Sequence, residues 1–187
     1  NGIVTNVDEL WAKYAGRIKR DYEVDTEVLA SMFRLFLTEG LGPVEAIRKA
    51  IAEMEGAASV AILINDAQQV LLATNTGSLY HVNDPAGSMV FASEEYIART
   101  FTGQESVKAR YGGLPTKWLE PFTGKLIDVA SWSITDFGLK EEAPGPLLER
   151  TAPFTITDHS QGAGDVPAPA VATSDEGRLR KLIEFPE

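Results

Sequence analysis

The amino-acid sequence predicts an α+β fold, in which helices come first along the chain and strands follow. Apolar residues repeat with a helical period over the first third of the chain. After Gly56 they form short runs separated by turn-forming residues, as strands do. The apolar fraction of 44% is typical of a domain with a hydrophobic core. Because helices and strands are segregated along the chain, an α+β architecture is favoured over an alternating α/β one.

Three helices are predicted before Gly56. The first spans residues 7–15 and is expected to begin with a capping box at Asn6. The second spans residues 26–39, with Asp25 as its cap. The third begins at Pro43, because proline is favoured in the first turn of a helix. The second and third helices carry one-sided apolar stripes, formed by Val28, Leu29, Met32, Phe33, Phe36 and Leu37 and by Val44, Ile47, Ile51 and Met54.

Strands are predicted for the apolar runs that follow. The continuous run at residues 58–64 is typical of a buried strand. Ser93 is expected to cap a brief helix that ends at Phe101, and a loop rich in glycine and charge follows it. The remaining predicted strands are residues 70–73, 79–82, 89–92, 118–122, 126–131 and 133–135.

Charge and composition exclude several classes of partner. The formal charge of −10 and the isoelectric point of about 4.7 disfavour nucleic acid and anionic membranes as partners, because a protein that binds either of them needs a basic surface. The chain has no cysteine, which removes disulfides, thiolate metal sites and a thiol nucleophile. It has two histidines, His81 and His159, too few for a histidine-rich metal site.

The C-terminal quarter of the chain has the composition of a linker. Six of the ten prolines lie between Pro144 and Pro186, among glycine, alanine, serine and acidic residues. Such a segment buries too little apolar surface to offset its ordering entropy. We therefore expect a domain over residues 1–142 and a Pro-rich linker or tail over residues 143–187.

No single motif indicates chemistry. Asn1-Gly2 is a common turn dipeptide, and Asp25 before Thr26-Glu27 is a common helix start. His81 lies in a strand-like Leu-Tyr-His-Val, where a packed or surface histidine is more common than a catalytic one. His159 falls in the predicted linker. The phosphate-binding patterns G-x-G-x-x-G and Walker A are absent from the sequence.

Taken in order, the segments resemble the class II glutamine amidotransferases, which have an N-terminal nucleophile. The resemblance is carried by NGIVTNVDEL, DTEVLASMF, EGLGPVEAIRKAIAEMEGAASVAILIND, LLATNTGSLYHV and MVFASEEYIARTF. It is closest to the glutaminase domain of glucosamine-6-phosphate synthase, and amidophosphoribosyltransferase is more distant. The match runs from Asn1 to about Phe101 and continues loosely through WLEPFTGKLIDV. The spacing of Asn1-Gly2 and Asp25-Thr26-Glu27 is its most specific part.

The resemblance implies a fold and a site. The fold is four layers, αββα, with two antiparallel sheets between helices. The Asn1 side-chain amide and the Gly2 backbone N–H correspond to the family's oxyanion-hole donors, and Asp25 corresponds to the residue that binds the α-ammonium group of L-glutamine. Neither a metal nor another cofactor is implied. A cytoplasmic enzyme is implied, with an acceptor domain or subunit downstream of Glu187 and homo-oligomers formed through that acceptor domain.

The resemblance also leads us to expect that the sequence begins inside the domain. In the family, the cysteine nucleophile and an arginine that binds the substrate carboxylate precede the Asn-Gly pair. Two hypotheses then stay open: part of a glutaminase that supplies ammonia to an acceptor such as a sugar phosphate, or a catalytically inactive module for glutamine sensing or partner binding. A cysteine directly after the initiator methionine would favour the enzyme.

Overall fold

The computed structural model describes residues 2–140, and Asn1 and the predicted linker at residues 143–187 lie outside the described residues. Three helices precede the main strands, as predicted, and two shorter ones follow Ala92. The helices are α1 (Val7–Lys13), α2 (Glu27–Thr38), α3 (Pro43–Glu53), α4 (Glu95–Thr102) and α5 (Glu105–Tyr111). In α2 and α3 the predicted stripes face the core, and Pro43 occupies the first turn of α3.

None of the three predicted cap residues, Asn6, Asp25 and Ser93, makes a side-chain capping hydrogen bond. Asn6 precedes α1, but its side chain makes no capping hydrogen bond. Instead its amide nitrogen donates to the carbonyl of Glu53, and its amide oxygen accepts from the backbone N–H of Glu55. Glu94 rather than Ser93 occupies the N-cap position of α4. The partners of the Asn6 side chain, Glu53 and Glu55, are distant in sequence, so the residues around Asn6 do not reveal these contacts.

The strands form two antiparallel sheets. The larger sheet has the order β1–β2–β3–β7–β8, and the smaller has the order β5–β4–β6. The strands are β1 (Gly2–Val4), β2 (Gly56–Ile64), β3 (Gln69–Thr74), β4 (Tyr80–Asp84), β5 (Ser88–Ala92), β6 (Lys117–Trp118), β7 (Thr123–Asp128) and β8 (Ser133–Gly138). Each adjacent pair among β2, β3, β7 and β8 in the sheet is in register over six residues.

The layers follow the predicted αββα order. Helices α1–α3 share one core with β1, β2 and β3 on one face of the larger sheet. On the other face, Leu72 of β3 and Ile127 of β7 pack with Leu79 and Leu119, which flank the smaller sheet. Val82 of β4 is fully buried, and α4 and α5 contact β4. The second sheet is therefore covered on both faces, and the predicted α+β fold is confirmed.

Four local predictions differ from the structure. The strand predicted at residues 126–131 is β7, which ends at Asp128 and is followed by a turn. The predicted loop after Phe101 contains α5, and the predicted strand at residues 118–122 is reduced to β6. β2 was expected to be buried, yet Leu63 is 69% exposed. The smaller sheet packs against β3 and β7, so part of the inner face of β2 is left open. Within residues 2–140, none of the helices combines the length and apolar character that crossing a bilayer requires.

Candidate active site

Gly2, one of the predicted site residues, lies in the edge strand β1 rather than in a turn. β1 pairs with the start of β2, so that Gly2 faces Ala58 and Val4 faces Gly56. The two backbones approach closely, because a Cβ atom at Gly2 would lie 2.3 Å from the carbonyl oxygen of Ala57. Only glycine fits this contact without a backbone shift. The interpretation of Asn1-Gly2 as a turn dipeptide is therefore wrong for Gly2.

Gly2→Ala is expected to lower the free energy of unfolding by about 1–3 kcal/mol, the usual cost of overpacking. Gly113→Ala is the matched control, since a Cβ atom there meets no atom within 4 Å. Urea denaturation of both variants followed by circular dichroism measures the difference. Equal stability of the two variants would contradict the close approach of β1 and β2.

Asp25 is bound to β1 instead of capping α2. Its Oδ2 atom accepts a hydrogen bond from the backbone N–H of Val4 at 2.9 Å, and its Oδ1 accepts from the N–H of Thr26 at 2.8 Å. Thr26, with a helical backbone and no side-chain capping bond, is the N-cap residue of α2. The predicted helix-cap function of Asp25 is therefore wrong. The carboxylate instead joins the start of α2 to the strand that contains Gly2.

Gly2 and Asp25 share one edge of the larger sheet. Alternate residues of a strand direct their N–H groups to the same side. The N–H of Val4 points away from β2 toward Asp25, and the N–H of Gly2 therefore faces the same edge. The pairing of β1 with β2 agrees with this direction. Ala58, which faces Gly2, uses both its N–H and its carbonyl to bind Asn75 on the other side of β2, so neither group binds Gly2. The N–H of Gly2 and the carboxylate of Asp25 thus lie on the same side of β1, where β1 has no neighbouring strand among residues 2–140.

A small cavity adjoins this edge. It has a volume of about 210 Å³ and lies between the start of α2 and β2 beyond Ala58. Its lining residues are Thr26, Leu29, Ala30, Ser59, Val60, Ala61 and Ile62. None of these side chains is charged. A cationic group that binds here would find its counter-charge in the neighbouring carboxylate of Asp25.

The corner between β1 and α1 is held by contacts to the end of α3. Beyond the two bonds of Asn6, the Tyr14 hydroxyl donates to the carboxylate of Glu53, which also pairs with Lys13. Burial, together with the hydrogen bond to Glu53, raises the pKa of Tyr14 to about 12. Tyr14 therefore stays a hydrogen-bond donor at neutral pH. These contacts position β1. Asn6 therefore holds this corner to the end of α3 instead of capping α1.

The structure does not bring the two other singled-out residues to this edge. His81 is buried in β4 of the smaller sheet, on the side that faces β7 and β8. His159 lies outside the described residues, as does Asn1. Of the predicted site residues, Gly2 and Asp25 lie on the same side of β1.

Comparison with known structures identifies the fold. The glutamine phosphoribosylpyrophosphate amidotransferase from B. subtilis, solved with ADP and GMP, superposes with a TM-score of 0.55 over 76% of this chain and 28% of its own. The sequence identity is 17%. A second structure, titled as the allosteric regulatory enzyme of purine biosynthesis, gives the same TM-score at 18% identity. The fold is that of the class II amidotransferases with an N-terminal nucleophile.

Sequence comparison defines the family. A model of the glutamine amidotransferase domain matches residues 1–98, just over half of the chain. The chain belongs to the glutamine amidotransferase domain family.

Curated relatives are aminotransferases. The glutamine–fructose-6-phosphate aminotransferase (isomerizing) of Caulobacter vibrioides is 34% identical over 106 residues, which is 56% of this chain and 17% of that protein. The enzyme of the same name from Shouchella clausii is 26% identical over 166 residues, 80% of this chain and 28% of that protein. The chain thus spans less than a third of the length of either relative.

Proposed function

We propose that the chain supplies the oxyanion and ammonium contacts of a glutaminase site, which hydrolyses glutamine to glutamate and ammonia. The observation that carries this proposal is the shared edge of β1, where the N–H of Gly2 faces the side on which Asp25 binds Val4. A donor for negative charge and an anion for positive charge therefore lie on one side of one short strand. Free glutamine carries the complementary groups, an amide carbonyl and an α-ammonium.

The two contacts fit the chemistry of amide hydrolysis. Attack on the side-chain amide of glutamine creates a tetrahedral oxyanion, which needs donors fixed where the charge develops. The Gly2 N–H and the Asn1 side-chain amide supply these donors in the proposal. Each oxygen of Asp25 accepts one backbone hydrogen bond and keeps a lone pair for the substrate ammonium. The family resemblance assigns the attack to an N-terminal cysteine, whose own α-amine acts as the base.

The acceptor is proposed from the relatives. Both curated relatives are named for glutamine and fructose-6-phosphate. We therefore propose a sugar phosphate as the acceptor of the ammonia, held by a domain or subunit beyond the glutaminase part. Nothing in residues 2–140 favours the alternative, an inactive module for glutamine sensing or partner binding.

The first test is that the 187-residue chain is inert toward electrophilic glutamine analogues. The sequence contains no thiol, and the Nδ1 atom of His81 has no serine or threonine partner within residues 2–140 that it could activate as a nucleophile. Intact-mass spectrometry after incubation with such a reagent is expected to show no adduct. A stoichiometric adduct on a serine or threonine would contradict the assignment of attack to a cysteine.

The second part of the test restores the nucleophile. We define the completed domain as this chain preceded by the cysteine-led segment that the resemblance implies, taken from the Caulobacter vibrioides relative. The completed domain is expected to release glutamate from glutamine and to form one adduct per chain. Changing its leading cysteine to alanine is the control and should abolish both. A folded completed domain that neither binds glutamine nor reacts would favour the inactive module.

A further inference from the structure

A second cavity lies between the two sheets, away from the edge of β1. Its volume is about 430 Å³, and it is lined by residues of β4, β6, β7 and β8 and the segment after β6. β1 and β8 are at opposite ends of the larger sheet. The second cavity is therefore separate from the proposed glutaminase site. The proposed hydrolysis of glutamine does not involve the residues of the second cavity.

Charged and polar side chains of both sheets converge on the second cavity. Lys125 of β7 is largely buried, with 15% of its side chain exposed, and pairs with Asp136 of β8, whose side chain is 75% exposed. Lys117 of β6 is exposed and forms no ion pair with another described residue. His81 is 4% exposed, and its Nδ1 atom has no hydrogen-bond partner within residues 2–140. Buried polar atoms are rarely left without a partner, so this one calls for an explanation.

Two lysines and two carboxylates line the second cavity around His81. Burial lowers the pKa of His81 to about 4, and the ammonium groups of Lys125 and Lys117 lower it further, while Asp136 opposes them. Both lysines thus outweigh the carboxylate at the position of the imidazole. Glu120 also lines the cavity, and like Asp136 it is exposed to solvent. A chain with a net charge of −10 places two ammonium groups here around a neutral histidine.

We propose that the second cavity binds a phosphate group, on a free phosphate ion or a small phosphomonoester, between Lys125 and Lys117 and against His81. Two ammonium groups match the double charge of phosphate at neutral pH, and a monocarboxylate would satisfy only one of them. The volume exceeds that of a phosphate ion and leaves room for the alcohol part of a small ester. The proposal does not depend on the proposed function.

Asp136 competes with the ligand in this arrangement. It pairs with Lys125, and because most of its side chain is in solvent it can leave the ammonium group at little cost. The alternative is that Lys125 and Asp136 are only a cross-strand ion pair, since the two residues face each other in the β7–β8 register. If Asp136 competes with phosphate for Lys125, removing its carboxylate tightens phosphate binding. If the two residues form only a structural ion pair, removing the carboxylate does not tighten it.

The experiment is a titration of the 187-residue chain with inorganic phosphate, glycerol phosphate or acetate at constant ionic strength. His81 is observed by NMR of its ring, with the other histidine, His159, as internal reference. We expect saturable shifts of His81 with either phosphate compound and none with acetate. Bound phosphate should also raise the pKa of His81 from about 4, because an adjacent anion stabilises the imidazolium.

Three variants locate the site. Lys125→Met is expected to weaken phosphate binding by about 10–100-fold, the scale of one charge-assisted hydrogen bond. Asp136→Asn should tighten it by about 2–5-fold, because the competing exposed ion pair is lost. Lys19→Met is the control, since Lys19 pairs with Asp21 and lines none of the cavities described above. It should leave binding unchanged.

Tighter binding of glycerol phosphate would identify an ester as the ligand, and tighter binding of inorganic phosphate would identify the free ion. The proposal is wrong if neither compound shifts His81 saturably. It is also wrong if Asp136→Asn, which keeps the shape of the side chain, fails to tighten binding in a folded variant.

Discussion

Asp25→Asn in the completed domain is expected to raise the KM for glutamine by about 10–100-fold. In the proposed site the carboxylate supplies the charge that faces the substrate ammonium, and a hydrogen bond to a charged group contributes about 1.5–3 kcal/mol. kcat should change much less, because the ammonium is remote from the amide that reacts and is bound equally in the ground and transition states. Initial rates of glutamate release over a range of glutamine concentrations measure both constants.

The same substitution also carries a cost in stability. The two oxygens of Asp25 accept from the backbone N–H groups of Val4 and Thr26, whereas an amide offers one accepting oxygen. One N–H then loses its partner, which is expected to lower the free energy of unfolding by about 1–3 kcal/mol. A helix-capping Asp25 would lose less stability, because asparagine keeps a capping oxygen.

Glu27→Gln is the control that separates the loss of the charge facing the substrate from the loss of a hydrogen-bond acceptor. Glu27 lies two residues after Asp25, and its two oxygens also accept from two backbone N–H groups, those of Asp21 and Tyr22. The Glu27→Gln variant therefore loses one acceptor in the same way, at a site without a proposed substrate contact. We expect a smaller destabilisation in Glu27→Gln, because its two hydrogen bonds are exposed to solvent, and a raised KM in Asp25→Asn alone. A raised KM in both, or in neither, would remove Asp25 from the substrate site.

The helices and most strands could be predicted because their signals are local. The stripes of α2 and α3 follow from the helical period, and Pro43 marks the first turn. β2 and β3 contain short apolar runs bounded by turn residues. β1 could not be predicted from the residues alone, because three residues become a strand only by pairing with a segment more than 50 positions away.

Tertiary contacts explain the helix-cap errors. Asn6 and Asp25 have the residue types and positions of helix caps, and a local interpretation is then the simplest one. In the structure, Asn6 binds backbone groups at the end of α3 and the start of β2, and Asp25 binds β1. α5 was missed for a related reason, since Tyr111 is its only buried residue and gives no stripe.

The proposed site comes from the resemblance, and the structure adds a hydrogen bond that joins two of its segments. Composition and spacing did not distinguish Asp25 from an ordinary helix start. The link is the hydrogen bond between Asp25 and Val4, which joins residues 21 positions apart. No pattern within either segment encodes that bond, because it depends on how β1 pairs with β2. His81 illustrates the same limit, since its Leu-Tyr-His-Val context predicted packing but not the lysines beside it.

Asn1→Ala in the completed domain is expected to lower kcat for glutamine hydrolysis by about 10²–10³-fold, the usual loss for one oxyanion-hole donor. The donor acts mainly in the transition state, because the ground-state carbonyl carries less charge. KM should therefore move much less, and the binding of unreacted glutamine should survive. Steady-state kinetics, with glutamine binding measured by calorimetry in a variant whose nucleophile is replaced, distinguish the two effects.

Asn1→Asp separates catalysis from structure at the same position. Aspartate is nearly isosteric with asparagine and is tolerated almost equally in turns and at irregular strand ends. A structural asparagine before Gly2 would therefore allow near-normal kcat in this variant. In the proposed site the substitution removes a donor and places a carboxylate against the developing oxyanion, so kcat should fall at least as far as in Asn1→Ala. Because Gly2, Ile3 and Val4 pair with β2, the strand that follows Asn1 is expected to stay in register in both variants. A loss of kcat at unchanged stability would then be due to the side chain of Asn1 itself.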